Sequence, residues 1–243
     1  MIDQYAIPAA ARAVTRTYLP LLSCNTGGKQ LGWRTLRKSL AVLAFTTLLT
    51  SCVNSITVEG SSPTPLVKKI PARIGVYYSD TFKTFRHDEK IEQNGTWQIE
   101  FGAQNLTFFR NLTAAMFTNV VEVNKSPVDA TMLPGLDGVL VPEIKKFGFL
   151  TPSVSGLNFY SASIQYRMTL YNAERQKISE WTVVGYGKSE ASVFGSKEAL
   201  NEATMLAIRD GGARIAVELG DQPGIDAWVQ SLNPESADAE LEI

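Results

Sequence analysis

Cysteine and histidine are scarce in this chain, which has two cysteines and one histidine among 243 residues. Structural zinc sites use four ligands, mostly cysteine and histidine, so a zinc centre of this kind is excluded. The single histidine, His87, is followed by Asp88 and Glu89. Adjacent residues on an extended chain point to opposite sides, so we interpret His87 as part of a charged surface loop rather than as a general base.

Motifs for nucleophilic and phosphate chemistry are also missing. No serine lies in a Gly-x-Ser-x-Gly elbow. Gly187-Lys188-Ser189 looks like the end of a phosphate-binding loop, but the first glycine position of that loop holds Thr182, and the next predicted helix begins only near Ser196. We therefore expect no enzymatic activity, no metal and no cofactor.

The chain also lacks an excess of basic residues. The formal net charge is −1 at pH 7. Six of the 23 basic residues but one of the 24 acidic residues lie within 1–51, so a chain that begins at Cys52 carries about −6. This balance lacks the basic character of nucleic-acid binders, and we expect no nucleic-acid partner.

A short apolar run lies near the N-terminus. Four basic residues between Lys29 and Lys38 precede an apolar stretch from Leu40 to Leu49. This stretch is too short for a helix that spans a bilayer, which needs about 20 apolar residues. A basic segment, a short apolar segment and then small residues form the order of a secretory signal peptide.

The tetrad Leu49-Thr50-Ser51-Cys52 resembles the lipobox of bacterial lipoproteins. The alternative is a buried helix that happens to end in cysteine. The resemblance implies that the Cys52 thiol carries diacylglycerol, that a signal peptidase cuts between Ser51 and Cys52, and that the new N-terminus is acylated, as with palmitate. Two or three acyl chains anchor a protein stably. Val53, in place of an aspartate, implies the periplasmic face of the outer membrane.

Composition predicts four regions. Residues 1–51 form an N-terminal extension and signal peptide, and residues 52–70 form a flexible tether because they are polar and rich in turn residues. Residues 71–220 form an α+β periplasmic domain. Residues 221–243 hold six acids and no bases, which predicts a mostly disordered tail in which Trp228 and Leu232 are the candidates to dock.

Apolar periodicity predicts the elements of the domain. The order from Trp97 to Val123 is strand, helix, strand, which predicts a parallel strand pair. Pro142 indicates an edge or a bulge. Gly211 and Gly212 in the last helix indicate either a tight fit on the sheet or a break. The predicted strands are Arg73–Tyr78, Trp97–Phe101, Val120–Val123, Gly138–Phe149, Phe159–Tyr171 and Ile178–Gly187, and the predicted helices are Gly102–Phe117 and Ser196–Leu219, with Ser196 as cap.

These elements predict an α+β fold. Three consecutive strands form a meander, and the alternation along Phe159–Tyr171 is that of an antiparallel sheet with one wet face. Two amphipathic helices must bury their apolar sides on the same face of that sheet. We therefore expect a two-layer sandwich, in which a mixed, mostly antiparallel sheet carries two helices on one face.

The loop of the first meander hairpin is the candidate partner-binding surface. It carries Phe149, Leu150, Leu157 and Phe159, and the charged residues nearby are Lys145 and Lys146. Large apolar residues in a loop are covered either by the body of the protein or by a partner. We favour a partner.

Three functions remain open. The first is a non-catalytic adaptor or accessory subunit of a cell-envelope assembly, held to the membrane by its lipid, with a protein partner and a possible homo-oligomer. From about Arg73 to Leu219 the body resembles, in layout only, auxiliary lipoproteins of transport, polysaccharide-export and flagellar assemblies. The second is a periplasmic module that binds a lipid or glycan, which requires an apolar cavity. The third, a hydrolase, lacks supporting motifs.

Overall fold

The computed structural model describes residues 53–92, 94–128, 135–190 and 195–232. Within these residues eight strands and five helices follow one another along the chain. The strands are β1 (Val53–Thr57), β2 (Ile70–Tyr77), β3 (Arg86–Ile91), β4 (Gly95–Glu100), β5 (Phe117–Val123), β6 (Gly138–Leu150), β7 (Phe159–Asn172) and β8 (Lys177–Glu190). The helices are α1 (Asp80–Lys83), α2 (Gly102–Met116), α3 (Pro152–Ser155), α4 (Ser196–Glu218) and α5 (Ile225–Leu232).

The main sheet has five strands in the order β5-β2-β6-β7-β8. β2 is parallel to both β5 and β6, whereas β6, β7 and β8 form an antiparallel meander. The predicted meander is therefore confirmed. β2 pairs with β6 only over Gly138–Leu140, so Pro142 lies where β6 pairs with β7 alone. Pro142 thus occupies an edge position, as a residue without an N–H group should.

A second, three-stranded sheet has the order β1-β4-β3. β1 runs parallel to β4, from Val53 opposite Thr96 to Thr57 opposite Glu100. Ile56 in β1 and Trp97 and Ile99 in β4 are buried in the core. The flexible tether predicted for 52–70 is therefore wrong over Val53–Thr57, because these residues form a strand of the small sheet.

Two long helices cover one face of the main sheet, which confirms the predicted α+β sandwich. Along β7 the buried residues alternate, and they face the helices: Tyr160, Ala162, Ile164, Tyr166 and Met168. Tyr166 donates a buried hydrogen bond to the side chain of Asn105 in α2, and Asn105 donates to the carbonyl of Phe101 at 3.1 Å. This network satisfies buried polar groups that would otherwise destabilise the core.

α4 lies directly on β8 because glycines line the contact. A Cβ atom on Gly185 or Gly187 would overlap the backbone of α4. On the helix, Gly211 leaves space for the ring of Tyr166, and Gly212 leaves space for the ring of Phe108. The two helix glycines therefore mark a tight fit rather than a break, and their cost of about 1 kcal/mol each is offset by packing.

Three further expectations are corrected. The strands on either side of α2 belong to different sheets, since β4 lies in the small sheet while β5 pairs with β2. The cap of α4 is Gly195 rather than Ser196, with no side-chain cap bond. The start of the predicted disordered tail is the helix α5, although the two residues predicted to dock do so, since Trp228 is buried and Leu232 packs against the core. Residues 233–243 lie outside the described residues.

The close contact between α4 and β8 predicts that a side chain added at its glycines lowers stability. Gly187→Ala should lower the free energy of unfolding by about 1–3 kcal/mol, because its Cβ must push α4 away from β8. Gly148→Ala in β6 is the matched control, since its Cβ would meet its nearest neighbour, Ser163 Oγ, at an ordinary 3.6 Å. Urea unfolding measures both variants. Equal stability of the two would contradict the tight fit.

Alkaline pH should weaken the core through Tyr78. Burial raises the pKa of Tyr78 to about 12, from 10.0 for the free side chain. The folded state therefore holds this proton more tightly, and the free energy of unfolding should fall as the pH rises from about 10 to 12, by at most about 1.4 kcal/mol per unit. Burial also raises the pKa of Tyr166, so part of the fall should persist in Tyr78→Phe.

Urea unfolding at several pH values between pH 8 and pH 11 measures this effect. Tyr78→Phe should lose less stability over that range than the unaltered chain does. Tyr186→Phe, which removes a hydroxyl from a side chain that is 62% exposed, is the control and should follow the unaltered chain. The same alkaline loss in Tyr78→Phe would rule out this role of Tyr78.

Candidate functional site

The hairpin tip, defined here as Leu150–Phe159, joins β6 to β7. Phe149 stands opposite Ala162, and Leu150 stands opposite Ser161. Successive residues of a strand face opposite sides of the sheet, so one of these two apolar side chains turns inward and the next turns outward. Phe149 is 7% exposed and Leu150 is 45% exposed.

Phe149 is a core residue, so its prediction as a partner-binding residue is wrong. Its ring lies 5.8 Å from that of Trp97 and 6.0 Å from that of His87. Phe147 extends the same cluster, with its ring 4.6 Å from that of Phe101. These contacts join β6 to the small sheet, and aromatic pairs at such distances contribute about 0.5–1.5 kcal/mol each.

His87 is not in a surface loop, because it lies in β3 against this aromatic cluster. Its Nε2 is 2.9 Å from Oε2 of Glu89, two residues further along the same strand face. Asp88 turns the other way and pairs with Arg86 at 2.9 Å. Among the described residues no cluster of three or more histidine, cysteine or carboxylate side chains could hold a metal ion.

The apolar side chains of the tip differ in exposure. Leu157 is 54% exposed, whereas Phe159 is half-buried and lies under the ammonium group of Lys188, 4.1 Å from its ring centre. Such a cation–π contact occupies the face of Phe159. Of the four predicted partner-binding residues, Leu150 and Leu157 therefore have the largest exposed fractions, about half of each side chain.

Sequence reasoning missed one exposed residue of the tip. Val154 lies on the short helix α3 and is 52% exposed. The available indications were Pro152, at the first turn of a helix, and Gly156, which ends the helix with a φ of 70°. Proline at the start and glycine just past the end form the asymmetry of a helix. Val154 adds a third apolar side chain to Leu150 and Leu157.

Hydrogen bonds connect the hairpin tip to the start of the domain. Asn94, in the turn between β3 and β4, donates from its amide to Ser153 Oγ at 2.9 Å and to Thr151 Oγ1 at 3.3 Å. Asn54 in β1 donates to the backbone carbonyl of Asn94 at 3.2 Å. Val53, the first described residue, is 48% exposed. We name this end of the molecule, with Val53, the β3–β4 turn and the hairpin tip, the anchor end.

The predicted lipidation and cleavage residues, Cys52 and Ser51, lie outside the described residues. Cys52 is nevertheless joined to Val53 by one peptide bond, and Cα atoms across a trans peptide are about 3.8 Å apart. The described helices include none that is long and apolar enough to cross a membrane.

A groove lies on the other face of the main sheet. Its floor consists of small residues, Gly148, Ser161 and Ser163, and its sides include Leu150 and Tyr186. The groove has a volume of about 540 Å³ and is open to solvent. No described helix covers this part of the sheet, because α2 and α4 pack on the opposite face, so a partner has access to it.

Comparison with known proteins gives structural neighbours only. No family model matches the chain, and no curated protein matches it. A Xanthomonas campestris protein assigned to the DUF330 family matches with 10% identity and a TM-score of 0.43, over 76% of this chain and 99% of that one.

Two further neighbours are described as lipoproteins. A minor lipoprotein from Acinetobacter baumannii has 12% identity and a TM-score of 0.35, over 65% of this chain and 97% of its own. A lipoprotein from Neisseria meningitidis has 11% identity and a TM-score of 0.29, over 62% of this chain and 99% of its own. All three TM-scores are below 0.5, so these similarities transfer no residue and no role to this chain.

Phe149 faces the core and Leu150 faces solvent, so substitutions at these two positions should differ in their effect on stability. Phe149→Ala should lower the free energy of unfolding by about 3–5 kcal/mol, because it opens a cavity among Trp97, His87 and Phe147. Leu150→Ala, one residue further, should cost less than about 1 kcal/mol, because its side chain faces solvent. Thermal or urea unfolding measures both variants. A larger cost at Leu150 would contradict the assigned strand faces.

Proposed function

We propose that this chain is a non-catalytic lipoprotein of the bacterial envelope, anchored by lipid on Cys52, that acts as an adaptor for a larger assembly. The observation that carries the anchor is the lipobox-like tetrad at Leu49–Cys52, preceded by a basic and a short apolar segment. The fold is compatible with it, because the strand β1 starts at Val53, the residue that follows the tetrad. Val53 in place of aspartate supports the periplasmic face of the outer membrane.

The adaptor role is supported by the uncovered face of the main sheet. Tyr186 stands on this face with 62% of its surface exposed, beside the small residues Ser161 and Ser163. Exposed tyrosines are frequent anchors of protein interfaces, since they bring large contact area at a low entropic cost. Binding of a lipid or glycan is the alternative, and the open groove beside Tyr186 is its candidate site.

Substitution of Cys52 tests the anchor. Cys52→Ser should leave a chain that is neither lipidated nor cleaved before residue 52, and it should change the distribution between membrane and soluble fractions. Cys24→Ser is the matched control and should mature as the unaltered chain does, because Cys24 precedes the cut. Intact mass and fractionation are the measurements. The anchor is refuted if Cys52→Ser matures to the same mass and stays with membranes like the unaltered protein.

Photocrosslinking in living cells tests the adaptor role. A benzophenone amino acid at Tyr186 should give one defined protein adduct, because a partner would lie on the sheet face. The same group at Glu174, in the exposed turn between β7 and β8, is the control and should give none. Adducts absent at Tyr186, or equal at both positions, would contradict this docking face. A mass increase from bound lipid or glycan would favour the alternative.

A further inference from the structure

We propose that the hairpin tip inserts its exposed apolar side chains into the same lipid leaflet that holds the acylated Cys52. The partner is a lipid surface, and the inserting residues are Leu150, Val154 and Leu157, with Val53 at the same end. This inference rests on the anchor in the proposed function and specifies how the domain then lies on the membrane.

The first argument for insertion is that the hairpin tip lies close to the lipid anchor. Cys52 is one peptide bond from Val53, so acyl chains on Cys52 bring the start of β1 to the membrane surface, with no spacer between the lipid and the folded domain. Asn54 and Asn94 connect the start of β1 to Thr151 and Ser153 through direct hydrogen bonds. The hairpin tip is therefore held at the anchor end, beside the lipid.

The second argument is that the exposed side chains of the tip are apolar and uncharged. The three exposed side chains of the tip are aliphatic, and each presents about half of its surface: Leu150 45%, Val154 52% and Leu157 54%. From Phe147 to Tyr166 the chain has no aspartate, glutamate, lysine or arginine. Burial of these side chains among lipid tails would therefore remove apolar surface from water without the cost of burying a charge.

Charges around the tip are balanced. Lys188 and Glu190 lie on the neighbouring β8, and Lys90 and Glu92 lie beside the β3–β4 turn. These four charges cancel, and Lys145 and Lys146 lie five and four residues before Leu150 along β6, roughly 13–17 Å from it, so the tip itself has little net attraction to anionic headgroups. Insertion should therefore occur in zwitterionic lipid and depend little on salt, unlike the binding of a polybasic surface.

A fluorescent label on the lipidated, mature chain tests the insertion. In the mature chain the Cys52 thiol is consumed by the lipid and Cys24 has been removed, so Val154→Cys provides one reactive thiol for an environment-sensitive dye. Val217→Cys is the matched control, because Val217 is 70% exposed near the end of α4 that points away from the tip. α4 has 23 residues, which corresponds to about 35 Å.

The protein is placed alone in phosphatidylcholine vesicles that contain nitroxide-labelled lipid. The nitroxide should reduce emission at position 154 by at least about two-fold, since interfacial side chains lie about 5–10 Å into the boundary between headgroups and acyl chains. Emission at position 217 should not change. Leu150→Asp with Leu157→Asp should abolish the quenching at 154, while thermal unfolding by circular dichroism shows that the fold is kept.

The outcomes separate the insertion from the anchor. A protein that has the mass of a lipoprotein and stays on the vesicles, but is quenched equally weakly at 154 and 217, overturns the insertion and leaves the anchor intact. The insertion is also overturned, and the anchor kept, if the dye at position 154 is shielded from water only in native membranes. In that case a protein partner covers the tip. A mature chain without the mass of diacylglycerol overturns the anchor itself.

Discussion

The direct contact between α4 and β8 is the constraint on which the rest of the architecture depends. Gly185 and Gly187 bring the helix backbone against the strand, so no side chain separates the two layers there. Because α4 lies so close, large rings fill the space beside it, with Tyr166 against Gly211 and Phe108 against Gly212. Both long helices lie on this face of the main sheet, and on the other face the groove beside Tyr186 is open to solvent or to a partner.

Much of this fold follows from local pattern, and what escaped prediction is non-local. The alternation along β7 and the apolar spacing of α2 are visible within single segments, so both elements were predicted within one or two residues. β1 was missed because it pairs with β4, about 40 residues later, and turns only Ile56 fully into the core. A five-residue strand with one buried side chain has the composition of a polar linker.

At the candidate site, too, local sequence predicted some features, and distant contacts determine the others. The sequence placed apolar side chains at the hairpin tip but did not separate Phe149, which faces the aromatic cluster, from Leu150, which faces water. That separation depends on β4 and β3 packing beneath β6, which no short window of sequence reveals. Val154 was missed because a four-residue helix carries too little periodicity to be recognised by its apolar spacing.

The absence of a spacer before β1 has a consequence for how far this protein can reach. If Cys52 carries the anchor, the domain extends from the membrane by no more than its own length. The longest described strands, β7 and β8, have 14 residues each, which corresponds to about 48 Å. Lipoproteins with long linkers can search a wide volume of the periplasm, whereas this one would have to receive its partner close to the leaflet. Any bridge between the two membranes would therefore have to be supplied by the partner.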